Sequence, residues 1–308
     1  MPESFLLTLL DAPRWRDYEL LDSGDGLKLE RFGPYTFARP EVQAMWSRAL
    51  PQRAWDAAHA VFQPTAEESG GHWIAKKKIP ERWEMKYDLP SGASPTGRDE
   101  TLRFWVMTTP GRHLGVFPEV ASHWDWMAGL VHQADRPANV LNLFGYTGLA
   151  SLAVAAAGAK VTHVDASKKS VAWARENQEL SGLSDKPIRW IVDDALKFVQ
   201  REARRGAKYD GILLDPPKFG RGPKGEVWEV YKSLPDLFTA CKAVLSEHPL
   251  FVATTVYAVK ASALHVGQAM EEMMKEYGGS VERGELVTRE KSAGRLLSQA
   301  VFARWSVQ

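Results

Sequence analysis

The chain has 308 residues, 44% of them apolar and 25% charged, a globular composition that excludes disorder as the main state and suits two domains or one domain with a large extension. A formal net charge of +1 gives no general pull toward polyanions. A single cysteine excludes an internal disulfide and zinc sites built on several thiolates, and no metal site is expected.

Charge is uneven along the chain: residues 1–128 carry a net −3 and residues 129–308 a net +4, so a polyanion is expected to favour the second part. The opening "MPESFLLTLLDAPRW" has no basic residue before its apolar run and no small-residue cleavage site, so it does not read as a secretory signal. The most apolar stretch, "ANVLNLFGYTGLASLAVAAAGAKV", is broken by polar residues and is not a membrane span. A soluble cytoplasmic protein is expected.

Residues 1–128 read as a smaller β-rich domain. "YELLDSGDGLKLERFGPYTFARP" suggests strands joined by glycine turns, and the loop "LPSGASPTGRD" precedes the strand "TLRFWVMTT". Eight of the twelve tryptophans lie in this part, which points to a small core filled by large rings, with a base-stacking platform as the alternative.

From about residue 138, in the domain assigned to residues 129–308, strands and helices alternate. "NVLNLF", "KVTHVDA", "IRWIVDD", "YDGILLDPP" and "PLFVATTV" are strand candidates, separated by the helices "GLASLAVAAAGA", "SKKSVAWARENQELSGL", "ALKFVQREARRG" and "SLPDLFTACKAVL". In the last of these Ser233 and Asp236 have capping-box spacing with proline in the first turn. Helix "SALHVGQAMEEMMKEYG" then sets Val266, Met270, Met273, Met274 and Tyr277 on one face. Strands "SVERGELVT" and "QAVFARWSV" follow with no helix between them and should pair as an antiparallel edge. The fold class is α/β, a mostly parallel seven-stranded sheet whose last strand is antiparallel.

Four points fall at the carboxyl ends of strands, where open sheets bind ligands. "NLFGYTG", from Asn142 through Phe144, Gly145, Tyr146 and Thr147 to Gly148, turns the first strand into a helix, and its glycines allow close backbone approach. Asp165, followed by Ser167, ends the second strand and is placed either to accept from ribose hydroxyls or to act as a loop acid. Asp193, Asp194 and Ala195 end the third, facing an adenine amine or capping a helix. "DPPKF", Asp215, Pro216, Pro217, Lys218 and Phe219, ends the fourth. Its prolines lack N–H donors, so their carbonyls and Asp215 suit an exocyclic amine, with Phe219 stacked on the ring that bears it.

These motifs, in this order, resemble those of the class I S-adenosylmethionine-dependent methyltransferases, which have a Rossmann-like sheet. Within them the chain is similar to the bacterial large-subunit ribosomal RNA methyltransferases that share "N-x-F-x-Y-T-G" and "DPPKF". The resemblance covers about residues 100–308. It implies S-adenosyl-L-methionine as cofactor, its methionine part within residues 144–148, its ribose at Asp165 and its adenine between Asp193 and Asp194. "LRFWVMTTPGRHLGVFPE" is similar to the segment that precedes the catalytic domain in those relatives. Where they usually have "DQR" this chain has Pro118, Glu119 and Val120, and the small N-terminal RNA-binding domain of several relatives is not expected here.

RNA, ribosomal above all, is the partner the resemblance implies. Arg201, Arg204, Arg205, Lys208, Lys218, Arg221 and Lys224 lie around the fourth strand and could meet phosphates. Cytosine-C5 chemistry needs a covalent nucleophile, which in related enzymes is a cysteine after the fifth strand. "FVATTVYAVKAS" has none, and Cys241 shares a helical face with Leu237, Phe238 and Val244, so it should lie in the core. Nitrogen methylation is therefore preferred, with Asp215 and the Pro216 carbonyl holding the amine. Other readings are a small-molecule or protein methyltransferase and a nonenzymatic RNA-binding factor. A dinucleotide dehydrogenase is disfavoured because "GYTG" lacks the required glycine spacing.

Overall fold

The structure, a computed structural model, describes residues 6–65, 70–90, 100–257 and 261–307. Most of the expected "LPSGASPTGRD" loop lies outside the described residues. The N-terminal part contributes β1 (Thr8–Leu10), β2 (Tyr18–Gly24), β3 (Leu27–Phe32), β4 (Tyr35–Pro40), α1 (Gln52–Asp56), β5 (Ala60–Pro64), β6 (Gly71–Ala75), β7 (Trp83–Asp88) and β8 (Thr101–Val106). Strands β2 to β6 form one sheet in sequence order, antiparallel except for β4 beside β5, and β7 and β8 pair as a ribbon.

A 3₁₀ turn at Pro118–Val120 leads into α2 (Ala121–Gln133). There follow β9 (Asn139–Leu143), α3 (Leu149–Ala156), β10 (Lys160–Asp165), α4 (Lys168–Leu180), β11 (Ile188–Val192), α5 (Ala195–Arg204), β12 (Gly211–Leu214), β13 (Phe219–Arg221) and β14 (Val227–Glu229). The chain ends with α6 (Val230–Val244), β15 (Phe251–Val256), α7 (Ala263–Met274), β16 (Ser280–Arg289) and β17 (Leu296–Ser306). Three helices start at side-chain caps: Ser167 accepts from the Ser170 amide, Asp194 from that of Lys197 and Ser262 from that of Leu264.

The large sheet is α/β and mixed, in the order β1-β16-β17-β15-β12-β9-β10-β11. β9 to β12 and β15 run parallel to one another, and β17 is antiparallel to both β15 and β16. The expected seven strands are thus eight, because β1 adds to β16 in parallel. The β16/β17 pair is also not the edge: β17 is internal and β1 covers β16. A strand of only three residues carries too little alternation to be read from sequence.

α6 starts three residues before Ser233. Burial of Trp228 and Val230 against the sheet overrides the local capping signal, and Pro235 sits inside the helix rather than in its first turn. The division expected at 128/129 falls within α2. One hydrophobic cluster joins Phe32, Phe37, Trp83 and Phe104 to Trp124 and Met127 of α2 and Leu152 of α3. Phe37 stacks on Trp83 at 5.6 Å, and seven of the eight N-terminal tryptophans sit in or against hydrophobic clusters, while Trp105 is half-buried with the Arg82 guanidinium 4.3 Å from its ring. The other face of the sheet buries Phe198, Leu237, Phe238, Cys241, Met270 and Met273, each such side chain contributing about 1.5–3 kcal/mol.

Candidate active site

Parallel strands bring the tips of β9, β10, β11, β12 and β15 to one edge. After β9 the chain reverses through an unusual backbone: Phe144 (φ 59°) and Tyr146 (φ 49°) are left-handed without being glycine. Each such residue costs on the order of 1–3 kcal/mol and is held by its surroundings. Here the Gly145 amide donates to the Val164 carbonyl (3.0 Å) and the Tyr146 amide to Asp165 Oδ2 (2.9 Å). Thr147 Oγ1 donates to the Gly115 carbonyl (2.7 Å), tying in the segment before α2. Gly148 has φ 86°, and a Cβ there would lie 2.7 Å from that of Ala174, so only glycine fits. A Cβ on Gly145 would run into the His163 ring. Asn142 is buried and donates to Ser151 Oγ (2.9 Å), so Asn142 and Thr147 brace the turn from behind.

Asp165 ends β10. Its Oδ2 takes the Tyr146 amide and its Oδ1 the Ser167 amide (2.8 Å). Burial raises its pKa while the two amides pull it down. Ser167 is exposed and caps α4. Beyond β11, Asp193 pairs with Arg201 and accepts from the Asp194 amide (2.9 Å), Asp194 caps α5, and Ala195 is buried in it. Val192, 40% exposed, presents an apolar surface beside them.

Asp215 follows β12 and differs in kind. Its backbone amide donates to the Leu143 carbonyl (3.3 Å), but side-chain Oδ1 is enclosed without a hydrogen-bond partner. Burial, and then the charge of Glu119, push its pKa up to about 8. Pro216 is buried. The Pro217 carbonyl accepts from Trp228 Nε1 (2.7 Å), so the expectation of two open proline carbonyls is corrected: that of Pro217 anchors β14, and Trp228 packs on Phe144 at 4.9 Å. Phe219, in β13, is 61% exposed, with Lys218 Nζ 5.4 Å from its ring.

Four further residues join this edge. Phe117 contacts His113 (4.8 Å), Tyr257 (5.2 Å) and Tyr146 (5.8 Å). Burial, with help from Arg39, lowers the His113 pKa to about 3, so its ring is neutral. Glu119 is buried and its pKa is raised, burial leading. Tyr257 follows β15, its Oη enclosed and unpartnered. Its place just past a strand end was a legible signal. Glu119 had only its place at the end of "LRFWVMTTPGRHLGVFPE" to mark it.

The expected cationic group divides. Lys218, Arg221 and Lys224 stand on or beside the ribbon that follows Asp215, whereas Arg204, Arg205 and Lys208 lie at or just past the far end of α5. There a 510 Å³ groove is lined by Lys160, Arg189 and Lys208 at the strands' amino ends, away from Asp215. Arg201 is paired with Asp193. Among the described residues no three His, Cys, Asp or Glu side chains are grouped as metal ligands, and no helix is long and apolar enough to cross a membrane.

Over residues 124–228 the chain matches the family described as Conserved hypothetical protein 95. A segment of 99 residues, 32% of the chain, is 43% identical to the ribosomal RNA large subunit methyltransferase K/L of Shewanella sp. strain ANA-3, and it spans 14% of that relative's length. The crystal structure of the SAM-dependent methyltransferase from Agrobacterium tumefaciens is similar throughout, at 46% identity over 99% of this chain and 95% of that one, with a TM-score of 0.90. The chain belongs to the S-adenosylmethionine-dependent methyltransferases. It is an enzyme with S-adenosylmethionine as cofactor, on an α/β methyltransferase fold with an eight-stranded mixed sheet and a separate β-rich region. A Streptococcus mutans SAM-dependent methyltransferase structure, 17% identical over 96% of this chain and 76% of that one (TM-score 0.70), shares the fold.

Proposed function

We propose that this methyltransferase is a cytoplasmic enzyme that methylates an amino nitrogen of an RNA base, ribosomal RNA foremost, at the tip of β12. Residues 129–308 carry the cofactor on the Rossmann-like strands, all but β1, and residues 1–128 form the substrate side. The observation that carries the reading is the enclosed, unpartnered Oδ1 of Asp215 at the head of "DPPKF". An enclosed acceptor without a donor costs about 1–3 kcal/mol, and an amine N–H would satisfy it.

The edge fits the cofactor. The turn at residues 144–148 is left-handed at Phe144, Tyr146 and Gly148, and Asp165, fixed by two amides, keeps lone pairs for ribose hydroxyls. Val192, with Asp193, Asp194 and Ala195, flanks the adenine position, and Ser167 closes the ribose side. When bound, S-adenosylmethionine supplies an electrophilic methyl on a positively charged sulfur. Asp215 and the Pro216 carbonyl orient the acceptor amine so that its lone pair faces that methyl, and the aromatic side chains of Phe117, Tyr146 and Tyr257 exclude water. Phe219 stacks on the acceptor ring.

Nitrogen is preferred over cytosine C5 because the only thiol, Cys241, is buried in α6 and burial raises its pKa, leaving no nucleophile for a covalent step. The relatives' names support RNA, as do Lys218, Arg221 and Lys224 around the site. The test is transfer of labelled methyl into RNA from cells lacking the protein, followed by nucleoside mass spectrometry. Label in an N-methylated nucleoside is expected; label in protein or small metabolites would contradict the reading.

A further inference from the structure

The cofactor and acceptor roles above leave Glu119 unused. It lies two residues beyond Phe117 in the 3₁₀ turn and is only 6% exposed. Phe117 touches Tyr257 and Tyr146, and Val120, on the other side of Glu119, packs into the cluster that also takes Tyr257. β12 and β15 are neighbours in the sheet, so Asp215 and Tyr257 follow adjacent strand ends, and Tyr257 meets the segment of this turn through Phe117. Two polar atoms there, Asp215 Oδ1 and Tyr257 Oη, are enclosed and unpartnered. A buried polar atom without a partner is uncommon and marks a place that a ligand or a proton completes.

We propose that Glu119 and Asp215 act as one carboxyl pair on the acceptor amine, sharing a single proton between them, with the Tyr257 hydroxyl as the third group of the set. The proposal rests on the amine-methylation reading and adds residues to it.

Two nearby carboxyls in a dry site resist ionising together. Tyr257 responds in the same way, its pKa raised by burial, then by Asp215 and Glu119. The charged groups acting on Glu119 come from the N-terminal sheet: Lys28 and Arg39 favour its ionised form and Glu30 opposes it. Those three are themselves fixed. Arg39 grips Glu30 through Nε (2.7 Å) and Nη2 (2.8 Å), Tyr18 Oη donates to Glu30 (2.9 Å), and Lys28 Nζ sits 3.4 Å from Glu41. The β3/β4 wall thereby biases the pair so that Glu119 carries the charge and Asp215 holds the proton. In the reaction the amine lone pair forms the new N–C bond while the C–S bond breaks with its electrons left on sulfur. The amine's N–H proton passes to the ionised member of the pair and then to solvent.

The test compares wild type with Glu119→Gln in two ways: single-turnover rate against pH, and infrared titration of the carboxyls in cofactor-bound enzyme without substrate. Loss of the neighbouring charge is expected to move the inflection near pH 8 acidward by about one unit in both, while Glu119→Asp keeps it near 8. A rate lowered evenly at all pH values, with the inflection in place, would make Glu119 merely structural and overturn the proposal. Where Glu119→Gln does not melt cooperatively, Asp215→Asn gives the second readout: the carboxyl titration near pH 8 should vanish while that of Glu119, which ionises beside an already neutral neighbour, stays in place, and persistence of the titration near pH 8 overturns the proposal. The infrared measurement needs no acceptor, so it stands even if label transfer shows that the acceptor is not an amine.

Discussion

Asp165 and Asp215 end two strands of one sheet, and both are partly buried, yet they are built in opposite ways. Asp165 has an amide on each oxygen (2.9 and 2.8 Å), and those amides work against the upward push of burial. Asp215 has an enclosed oxygen with no donor and a second acid that adds to the push. An acid with preset donors is fixed in place, which suits holding a neutral diol. An acid lacking them is poised to take whatever donor enters, which suits an amine about to lose a proton.

The contrast can be broken on either side. Asp165→Asn keeps the shape but replaces one acceptor oxygen with a donor facing an amide. Cofactor Kd by calorimetry is expected to rise about 10- to 100-fold, or about 1.4–2.7 kcal/mol; an unchanged Kd would remove Asp165 from the cofactor site. A smaller effect is expected in stability. The folded pKa of Asp215, about 8, lies above the ordinary carboxylate value of 3.8, so the protonated form favours folding, and that contribution is lost as pH rises from about 4 through 8. Asp215→Asn does not titrate, so at pH 8.5 it should be more stable than wild type by on the order of 1–3 kcal/mol, with the gap closing toward pH 4. Equal pH dependence in thermal melts of the two proteins would show that Asp215 ionises normally.

Legibility in the sequence followed length and locality. The tips of β9, β10, β11 and β12 were readable because each strand is an apolar run followed by a cap or turn residue, as with Ser167 and Asp194. β1, β13 and β14, at three residues each, carry no periodicity to read. α6 began early because buried Trp228 and Val230 outweighed the Ser233 capping pattern. Glu119 was missed for a different reason: it comes to this edge only through the fold-back of the segment before α2, which no local pattern encodes, whereas the place of Tyr257 just past a strand end was a signal left unread.

The most direct test of the central claim measures single-turnover methyl transfer and cofactor Kd together for Asp215→Ala. Turnover is expected to fall by on the order of 10²–10⁴-fold while cofactor Kd changes by less than about threefold. Unimpaired transfer, or cofactor affinity lost in step with rate, would contradict the assignment of Asp215 to the acceptor.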